Sequence, residues 1–308
     1  WVWGVLSVCT FCYQTLDNMD GKQARRTGTS SPLGLLIDHG VDALNVITQA
    51  LNVMALLQCG DSPLDCLGVW LASSVPFFFA TWEEYFTGSL QLGVFNGPTD
   101  GVLIVCASYL VTALAKDQTE LWGAEFAFGL PRRRAITGFY LVCVAGTVLA
   151  NVQAVFQAVR STRSRCAALL LTAPFGILSA GGTAALLSPE GAWMKCFTYQ
   201  PRLVFWCLGG IFETLVAHLQ IAHICGVAYN PWRWTVLVPG GLLLLASFPG
   251  GLAAFGLIGR EITLFCTVAI LAVFAWLHLV VVVTQEMCEI LGITAFSISG
   301  SASVRKLD

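Results

Sequence analysis

Long apolar runs alternate with short polar connections along the whole chain. A transmembrane helix needs about 20 apolar residues at 1.5 Å rise per residue, and about nine runs are candidates. They cover residues 1–16, 36–58, 64–86, 101–115, 136–159, 166–188, 203–228, 235–257 and 263–288. Connections such as "NGPTDG", "GLPRRR" and "YNPWRW" have the composition of segments that leave a bilayer. The pattern predicts an all-α polytopic membrane bundle that forms one domain over residues 1–308.

Composition supports the same class. Hydrophobic residues make up 56% of the chain and charged residues 11%, whereas a soluble domain carries about 25% charged residues. The net charge is -2, and the longest basic run is the three arginines 132–134. This charge distribution excludes a nucleic-acid partner and leaves the lipid bilayer as the surrounding partner.

The cysteines and the first residues add two expectations. Most of the 12 cysteines lie scattered in apolar runs and form no CxxC pair with histidine, so they are read as small core residues. Cys59 and Cys66 flank the loop "CGDSPLDC" and could pair only where that loop faces an oxidising lumen. Because the chain begins "WVWGVLSVCTFC", without methionine and inside an apolar run, we expect a preceding segment that this sequence lacks.

Four aspartates lie unusually close together for so apolar a chain. Asp17 and Asp20 end the first predicted helix, and Asp38 and Asp42 open the second. Spacings of three and four residues place each pair on one helix face. The glycine- and proline-containing turn 28–34 makes the two helices antiparallel, so the four carboxylates are predicted to meet at one membrane depth.

Clustered carboxylates near lipid need a compensating cation, because they repel each other and lose solvation. Oxygen ligands without histidine or cysteine suit hard ions such as Mg²⁺ or Mn²⁺. Four aspartates suffice to bridge two such ions at about 4 Å separation, an arrangement that serves phosphoryl transfer. The sequence therefore predicts a two-metal site at the ends of the first two helices.

The residues between the aspartates favour a phosphate ligand. Gly21 and Ala24 keep one helix face small enough for close approach of a ligand. Arg25, one turn beyond Gly21, supplies a planar cation that matches phosphate oxygens. Lys22 and Arg26 are read as further phosphate contacts or as contacts to lipid headgroups.

The run from Asp17 to Asp42 reads D-x-x-D-G-x-x-A-R-x8-G-x3-D-x3-D. It resembles the signature of the CDP-alcohol phosphotransferase family, with every signature position filled. The stretches "DGKQARRT", "SPLG", "DHG", "WEEYFTG", "NGPTDG" and "CEILGI" are similar to the eukaryotic choline- and ethanolaminephosphotransferase branch. The resemblance extends from the first span to the last and is specific through about residue 101.

This resemblance implies transfer of a phosphoalcohol from CDP-ethanolamine or CDP-choline to diacylglycerol, with release of CMP. It implies two metal ions and the pyrophosphate held by the four aspartates: Asp17, Asp20, Asp38 and Asp42. It also implies a cytidine-diphosphate pocket formed by four other signature residues: Gly21, Ala24, Arg25 and Gly34. A homodimer in the endoplasmic reticulum or Golgi is a further expectation from the same resemblance.

Two residues compete for the role of general base. Asp42 is similar to the carboxylate proposed for the family, whereas His39 has an ordinary pKa near 6.5. Members of this branch carry glutamate after the signature glycine, in "SPLGELFDHG", but that position is Leu35 here. If the glutamate helps catalysis in relatives, its loss favours His39.

Two further polar groups have both functional and structural interpretations. In "FFFATWEEYFTG", Trp82, Glu84 and Tyr85 could bind an ammonium headgroup, or the segment could be an interfacial aromatic belt with solvated acids. Glu213, His218 and His223 lie in one apolar span at spacings of five. For the histidines, hydrogen bonding within the bundle is the favoured interpretation.

The distribution of lysine and arginine between the two membrane sides predicts the orientation of the chain. Nine spans place nine lysines and arginines on the aspartate side and seven on the other, which favours a cytosolic site although "PRRR" lies on the opposite side.

The rival enzyme uses CDP-diacylglycerol as donor. A divalent-cation or anion transporter is the rival from another class, but transport paths spread polar groups over several helices at mid-depth.

Overall fold

The computed structural model describes residues 1–90, 97–248 and 259–295, together with Leu252 and Gly256. The end of the predicted span 235–257 lies partly outside the described residues, and the basic tail "SVRKLD" lies wholly outside them. Twelve helices are described: α1 Val2–Thr27, α2 Pro32–Leu56, α3 Pro63–Thr87, α4 Val102–Leu114, α5 Gln118–Gly123, α6 Arg132–Ala158, α7 Thr162–Leu170, α8 Ala173–Leu186, α9 Ala192–Tyr199, α10 Pro201–Cys225, α11 Trp234–Ser247 and α12 Glu261–Leu291. A π-helical turn, Gly97–Gly101, leads into α4. The all-α class is confirmed, apart from a small antiparallel hairpin of β1 Glu125–Ala127 and β2 Leu130–Pro131.

The predicted spans coincide with helices, but fewer helices meet the length and polarity that a membrane crossing requires. Within the described ranges, α3, α6, α10 and α12 are long and apolar enough, and α7 with α8 makes a fifth if the bent pair is one span. The helices α1 and α2 are too polar, while α4 and α11 have 13 and 14 residues. These features define a helical membrane protein, and the count of nine spans stays a prediction.

The predicted span 166–188 is not one straight helix. It is divided into α7 and α8, which meet at a 48° bend. Pro174 lies in the first turn of α8, where its missing N–H is tolerated and where a preceding helix cannot continue undisturbed.

The reversal between α1 and α2 is fixed by local chemistry at both helix ends. Gly28 ends α1 in the left-handed conformation, with φ of 69°, which favours glycine. The Ser31 hydroxyl accepts the Gly34 N–H at 3.0 Å, and Pro32 begins α2. Gln49 Nε2 on α2 donates to Thr10 Oγ1 on α1 at 3.3 Å. The two helices are therefore antiparallel, as the sequence predicts.

Helix α10 forms the centre of the bundle, where it contacts α2, α3 and α12. The Phe212 ring packs against Trp70 and Phe77 of α3. A Cβ at Gly209 would lie 2.7 Å from Ile47 of α2, and one at Gly210 would lie 2.6 Å from the Ala272 Cβ of α12. Glycine at these two positions lets three helices approach closely, as small residues do in membrane bundles.

The end of the bundle opposite the aspartates contains compensated charges. The Arg134 Nε atom lies 2.7 Å from an Asp65 carboxylate oxygen, and Arg133 lies 3.3 Å from the other oxygen. Arg133 also lies 3.5 Å from Asp61 and donates to the Gln58 carbonyl at 2.6 Å. These ion pairs hold the start of α6 against the α2–α3 connection. In the same region Cys59 and Cys66 are both buried free thiols.

Candidate active site

Three of the four predicted aspartates come together at the α1–α2 reversal. Asp17, Asp38 and Asp42 each offer a carboxylate oxygen, and these atoms all lie within 4.8 Å of one another. All three residues are half-buried. Oxygens around a Mg²⁺ ion at 2.0–2.1 Å would be about 3 Å apart as neighbours and about 4 Å apart across the ion. The limit of 4.8 Å is slightly wider than these spacings, and three carboxylates are the kind of ligand set that hard divalent cations prefer.

Asp20 lies at the edge of this cluster. Its carboxylate is close to Asp38, within hydrogen-bonding reach, and it accepts the N–H of Gly21. The residue is exposed, unlike the other three, and stands outside the group of three. Its role as a fourth metal ligand stays a prediction.

Tyr13 is a site residue that the sequence analysis missed. Its hydroxyl, one turn before Asp17 on α1, donates a hydrogen bond to an Asp42 oxygen on α2. This contact fixes the orientation of the Asp42 carboxylate and links the two helices at the level of the cluster. A spacing of four residues from Asp17 places Tyr13 on the same helix face, and that was the available signal.

The predicted nucleotide-pocket residues lie beside the cluster. Arg25 is exposed, and its Nη1 would be 3.4 Å from a Cβ at Gly21, so the guanidinium extends over that glycine. Ala24 is half-buried, while Gly34 is exposed in the first turn of α2. A small-residue surface with an accessible guanidinium can admit a phosphate group.

A buried glutamate lies between two histidines next to the aspartates. Glu84 on α3 has one carboxylate oxygen 3.8 Å from His39 Nδ1 on α2 and the other 3.8 Å from His223 Nε2 on α10. Its side chain is nearly inaccessible to solvent. His39 directly follows Asp38, so this group of three residues adjoins the carboxylate cluster. We refer to Glu84, His39 and His223 as the His–Glu–His group.

The remaining residues of "WEEYFTG" have different contacts. The Trp82 side chain is fully buried and donates to the Ala168 carbonyl at 3.1 Å, and Glu83 accepts a 2.6 Å hydrogen bond from Asn151. Tyr85 accepts the Tyr229 N–H at 3.0 Å and so holds the segment after α10. The buried position of Trp82 does not support headgroup binding by this residue. Tyr85 is half-buried and adjacent to Glu84, so headgroup binding by Tyr85 stays a prediction.

The polar residues of α10 separate into two groups. His218 Nε2 lies 3.5 Å from Thr235 Oγ1, and Glu213 accepts the Trp276 N–H at 2.9 Å. Hydrogen bonding within the bundle is thus confirmed for His218. His223 instead has its ring nitrogen 3.8 Å from a Glu84 oxygen on α3, and its role stays a prediction.

Comparison with known proteins defines the class to which this site belongs. The family model described as CDP-alcohol phosphatidyltransferase matches residues 1–159, about half of the chain. The chain belongs to this family, which confirms the resemblance carried by the signature. The matched region contains α1, α2 and α3, and therefore every aspartate of the cluster.

Relatives of known name extend the comparison beyond that region. The chain is 33% identical to choline/ethanolaminephosphotransferase 1 of Arabidopsis thaliana over 97% of this chain and 79% of the relative. It is 34% identical to choline/ethanolaminephosphotransferase 2 of the same plant over 73% of this chain and 59% of the relative. It is also 34% identical to cholinephosphotransferase 1 of Saccharomyces cerevisiae, over 41% of this chain and 32% of the relative. The chain therefore spans less than two thirds of the second and third relatives.

Proposed function

We propose that the protein transfers phosphoethanolamine or phosphocholine from a CDP-alcohol to diacylglycerol, giving phosphatidylethanolamine or phosphatidylcholine and CMP. The observation that carries this proposal is the meeting of Asp17, Asp38 and Asp42 at the reversal of two antiparallel helices. The relatives named as choline/ethanolaminephosphotransferases support the choice of donor.

The cofactor in this proposal is a pair of Mg²⁺ or Mn²⁺ ions. Asp17, Asp38 and Asp42 would hold them, with Asp20 as the additional ligand at the exposed edge. When bound, such ions neutralise the pyrophosphate and stabilise the charge on the departing CMP. Carboxylates that would otherwise repel each other in a half-buried site gain the compensation they need.

The donor would occupy the α1 side of the cluster. Arg25 can bind phosphate oxygens through its planar guanidinium, and the small surface of Gly21 and Ala24 allows the nucleotide to approach the backbone. Gly34 lies at the start of α2, opposite this surface. Glu84 and Tyr85 are the remaining candidates for contact with the alcohol headgroup.

The geometry favours His39 as the general base. Its Nδ1 faces the Glu84 carboxylate, which orients the ring and leaves Nε2 to accept a proton from the lipid hydroxyl. The hydroxyl oxygen forms a bond to the phosphorus of the phosphoalcohol as the bond to the CMP oxygen breaks. Asp42 is the alternative base, but it already accepts the Tyr13 hydroxyl and belongs to the metal-binding group.

The position of the site suits substrates that arrive from different phases. CDP-alcohols are water soluble and diacylglycerol is confined to the bilayer, so a site at a helix reversal admits each from its own side. We place the site on the cytosolic face of the endoplasmic reticulum or Golgi and expect a homodimer. The excess of nine lysines and arginines over seven on the aspartate side supports this orientation.

Release of CMP tests the proposal. The full-length protein in phospholipid vesicles, supplied with Mg²⁺ or Mn²⁺, is expected to release CMP from CDP-ethanolamine or CDP-choline only when diacylglycerol is present. The rival donor, CDP-diacylglycerol, is tested in the same assay with free alcohols as acceptors. CMP release with CDP-diacylglycerol but with neither CDP-alcohol, or no CMP release with any of these donors, would contradict the proposal.

A further inference from the structure

Two phenylalanine rings of the β1–β2 hairpin lie on the surface of the protein. Phe126 is 70% exposed and Phe128 is 106% exposed, so the second ring stands clear of the described residues. Leu130, on the other strand, is also exposed. Apolar side chains grouped in this way are unfavourable in water and mark a surface that another apolar phase covers.

The turn of the hairpin holds Phe128 against its backbone preference. Phe128 and Gly129 are the two residues between β1 and β2, and their φ angles are 54° and 76°. A two-residue turn with two positive φ angles is ordinarily built from Asn-Gly or Asp-Gly, because a bulky side chain adopts a positive φ only at a cost in free energy. Local turn chemistry therefore does not account for a phenylalanine at this tip.

The hairpin has a polar side as well as an apolar one. Glu125 and Gly129 line a cavity of about 580 Å³ together with Asp61 and Arg133. Consecutive residues of a strand point to opposite faces, so Phe126 points away from the cavity that Glu125 lines. The hairpin thus separates a polar cavity from an apolar outer surface.

The hairpin lies at the level where two membrane-spanning helices begin. The Arg132 N–H, at the start of α6, donates to the Ala124 carbonyl at 2.9 Å and closes the hairpin onto that helix. Arg134 of α6 lies 2.7 Å from Asp65 in the first turn of α3, so the two helices start at one depth. Both are long and apolar enough to cross a membrane. The boundary between hydrocarbon and headgroups therefore falls close to this level.

The outer side of α6 continues the apolar surface of the hairpin. Phe139, Val142 and Leu149 of this helix are all exposed, and spacings of three and seven residues place them on one side. On a helix that crosses a membrane, such a side faces lipid. The hairpin contacts α6 and extends its lipid-facing surface to the edge of the bilayer.

We propose that the β1–β2 hairpin is an interfacial anchor, with Phe126 and Phe128 inserted among the lipids of the leaflet opposite the aspartate cluster. The boundary between acyl chains and headgroups accepts aromatic rings at this depth and places lipid phosphates beside the exposed Arg132. The polar cavity then stays open to water, and the anchor fixes the depth of the connection between α5 and α6. The inference is independent of the proposed function.

The test places photoreactive benzoylphenylalanine at single positions of the full-length protein in phosphatidylcholine vesicles. The residue replaces Phe126 or Phe128 and reacts on illumination with the C–H bonds that it touches, and the mass of the adduct identifies lipid or protein. Position 119 is the matched control, because Thr119 is exposed at the same end and lines the polar cavity. Burial of a phenyl ring predicts about a 10–100-fold preference for apolar surroundings. Lipid adducts are therefore expected mainly from positions 126 and 128.

The variant Phe128→Gly separates anchoring from folding. Glycine adopts a positive φ without strain, so the thermal unfolding temperature in detergent is expected to stay unchanged or to rise. In vesicles the yield of lipid adduct from position 126 is expected to fall, because the hairpin has lost one of its two inserted rings.

Three results would overturn the inference. Adducts between two copies of the chain would make the hairpin a subunit contact. Absence of lipid adducts from positions 126 and 128 would place the outer face in water. Equal yields of lipid adduct from positions 119 and 128 would show that neither side of the hairpin prefers lipid. None of these results depends on CMP release, so failure of the anchor is distinguishable from failure of the proposed function.

Discussion

The Tyr13 hydroxyl on α1 donates a hydrogen bond to the Asp42 carboxylate on α2. This contact joins two antiparallel helices at the level where Asp17, Asp38 and Asp42 meet. It occupies one lone pair of Asp42 and sets the direction of the oxygens that remain. A metal ligand held in this way is already oriented before an ion binds.

Replacement of Tyr13 by phenylalanine removes that orientation and keeps the ring. We expect the Mn²⁺ concentration for half-maximal activity to rise by about 10–100-fold, the usual effect of losing an outer partner of a metal ligand. Mn²⁺ titration of CMP release measures it. Thr15→Val is the control, because the exposed Thr15 hydroxyl bonds only to the Phe11 carbonyl of its own helix. Equal titration curves for Tyr13→Phe and wild type would contradict this role.

The His–Glu–His group predicts a graded series of catalytic defects. His39→Gln removes the proposed base and is expected to lower kcat by about 10²–10⁴-fold with little change in the KM for the CDP-alcohol. Glu84→Gln should cause a smaller loss, because it only weakens the positioning of His39. His223→Gln should cause the smallest loss, since Glu84 would still face His39. Steady-state kinetics establishes the order, and an unchanged kcat for His39→Gln would favour Asp42 as the base.

Glu83 and Glu84 are neighbours in sequence with different predicted roles. Asn151 donates to Glu83 at 2.6 Å in the buried contact between α6 and α3. Asn151→Leu leaves that carboxylate without its donor and is expected to destabilise the protein by about 1–3 kcal/mol. Thermal unfolding in detergent measures the loss, with Glu83→Gln as the milder control that keeps an acceptor oxygen. A raised KM for the CDP-alcohol without a stability change would place Glu83 in the site instead.

Close packing of α10 against α12 gives a prediction that is independent of catalysis. A Cβ at Gly210 would lie 2.6 Å from the Ala272 Cβ, closer than two methyl groups can approach. Gly210→Ala is expected to destabilise the protein by about 1–3 kcal/mol, the usual cost of overpacking. Gly138→Ala on α6 meets open space and should be neutral or slightly stabilising. Equal unfolding temperatures for the two variants would contradict the close approach of α10 to α12.

The sequence predicted features that depend on local order along the chain. Apolar runs located the helices, and Gly28 with Ser31 and Pro32 indicated the reversal that brings the aspartates together. The break between α7 and α8 was missed because the apolar pattern continues through it. Pro174 was the local signal for that break.

The His–Glu–His group could not be predicted because its members come from three helices. Residues 39, 84 and 223 meet only through the packing of α2, α3 and α10, and one sequence contains no record of that packing. The different contacts of Glu83 and Glu84 have the same origin, since consecutive residues point about 100° apart on a helix. Tyr13 and Asp42 each carried a spacing signal within their own helix, but the contact between them depends on the packing of α1 against α2.

Divalent-metal binding by the purified full-length protein tests the central claim most directly. Wild type is expected to bind Mn²⁺, detected by electron paramagnetic resonance, with displacement by Mg²⁺. Asp38→Asn should lose this binding and CMP release while it keeps the helical circular dichroism of wild type. Asp61→Asn, at the exposed opposite end of the bundle, should retain both. Equal Mn²⁺ binding by wild type and Asp38→Asn would contradict a metal centre built on these aspartates.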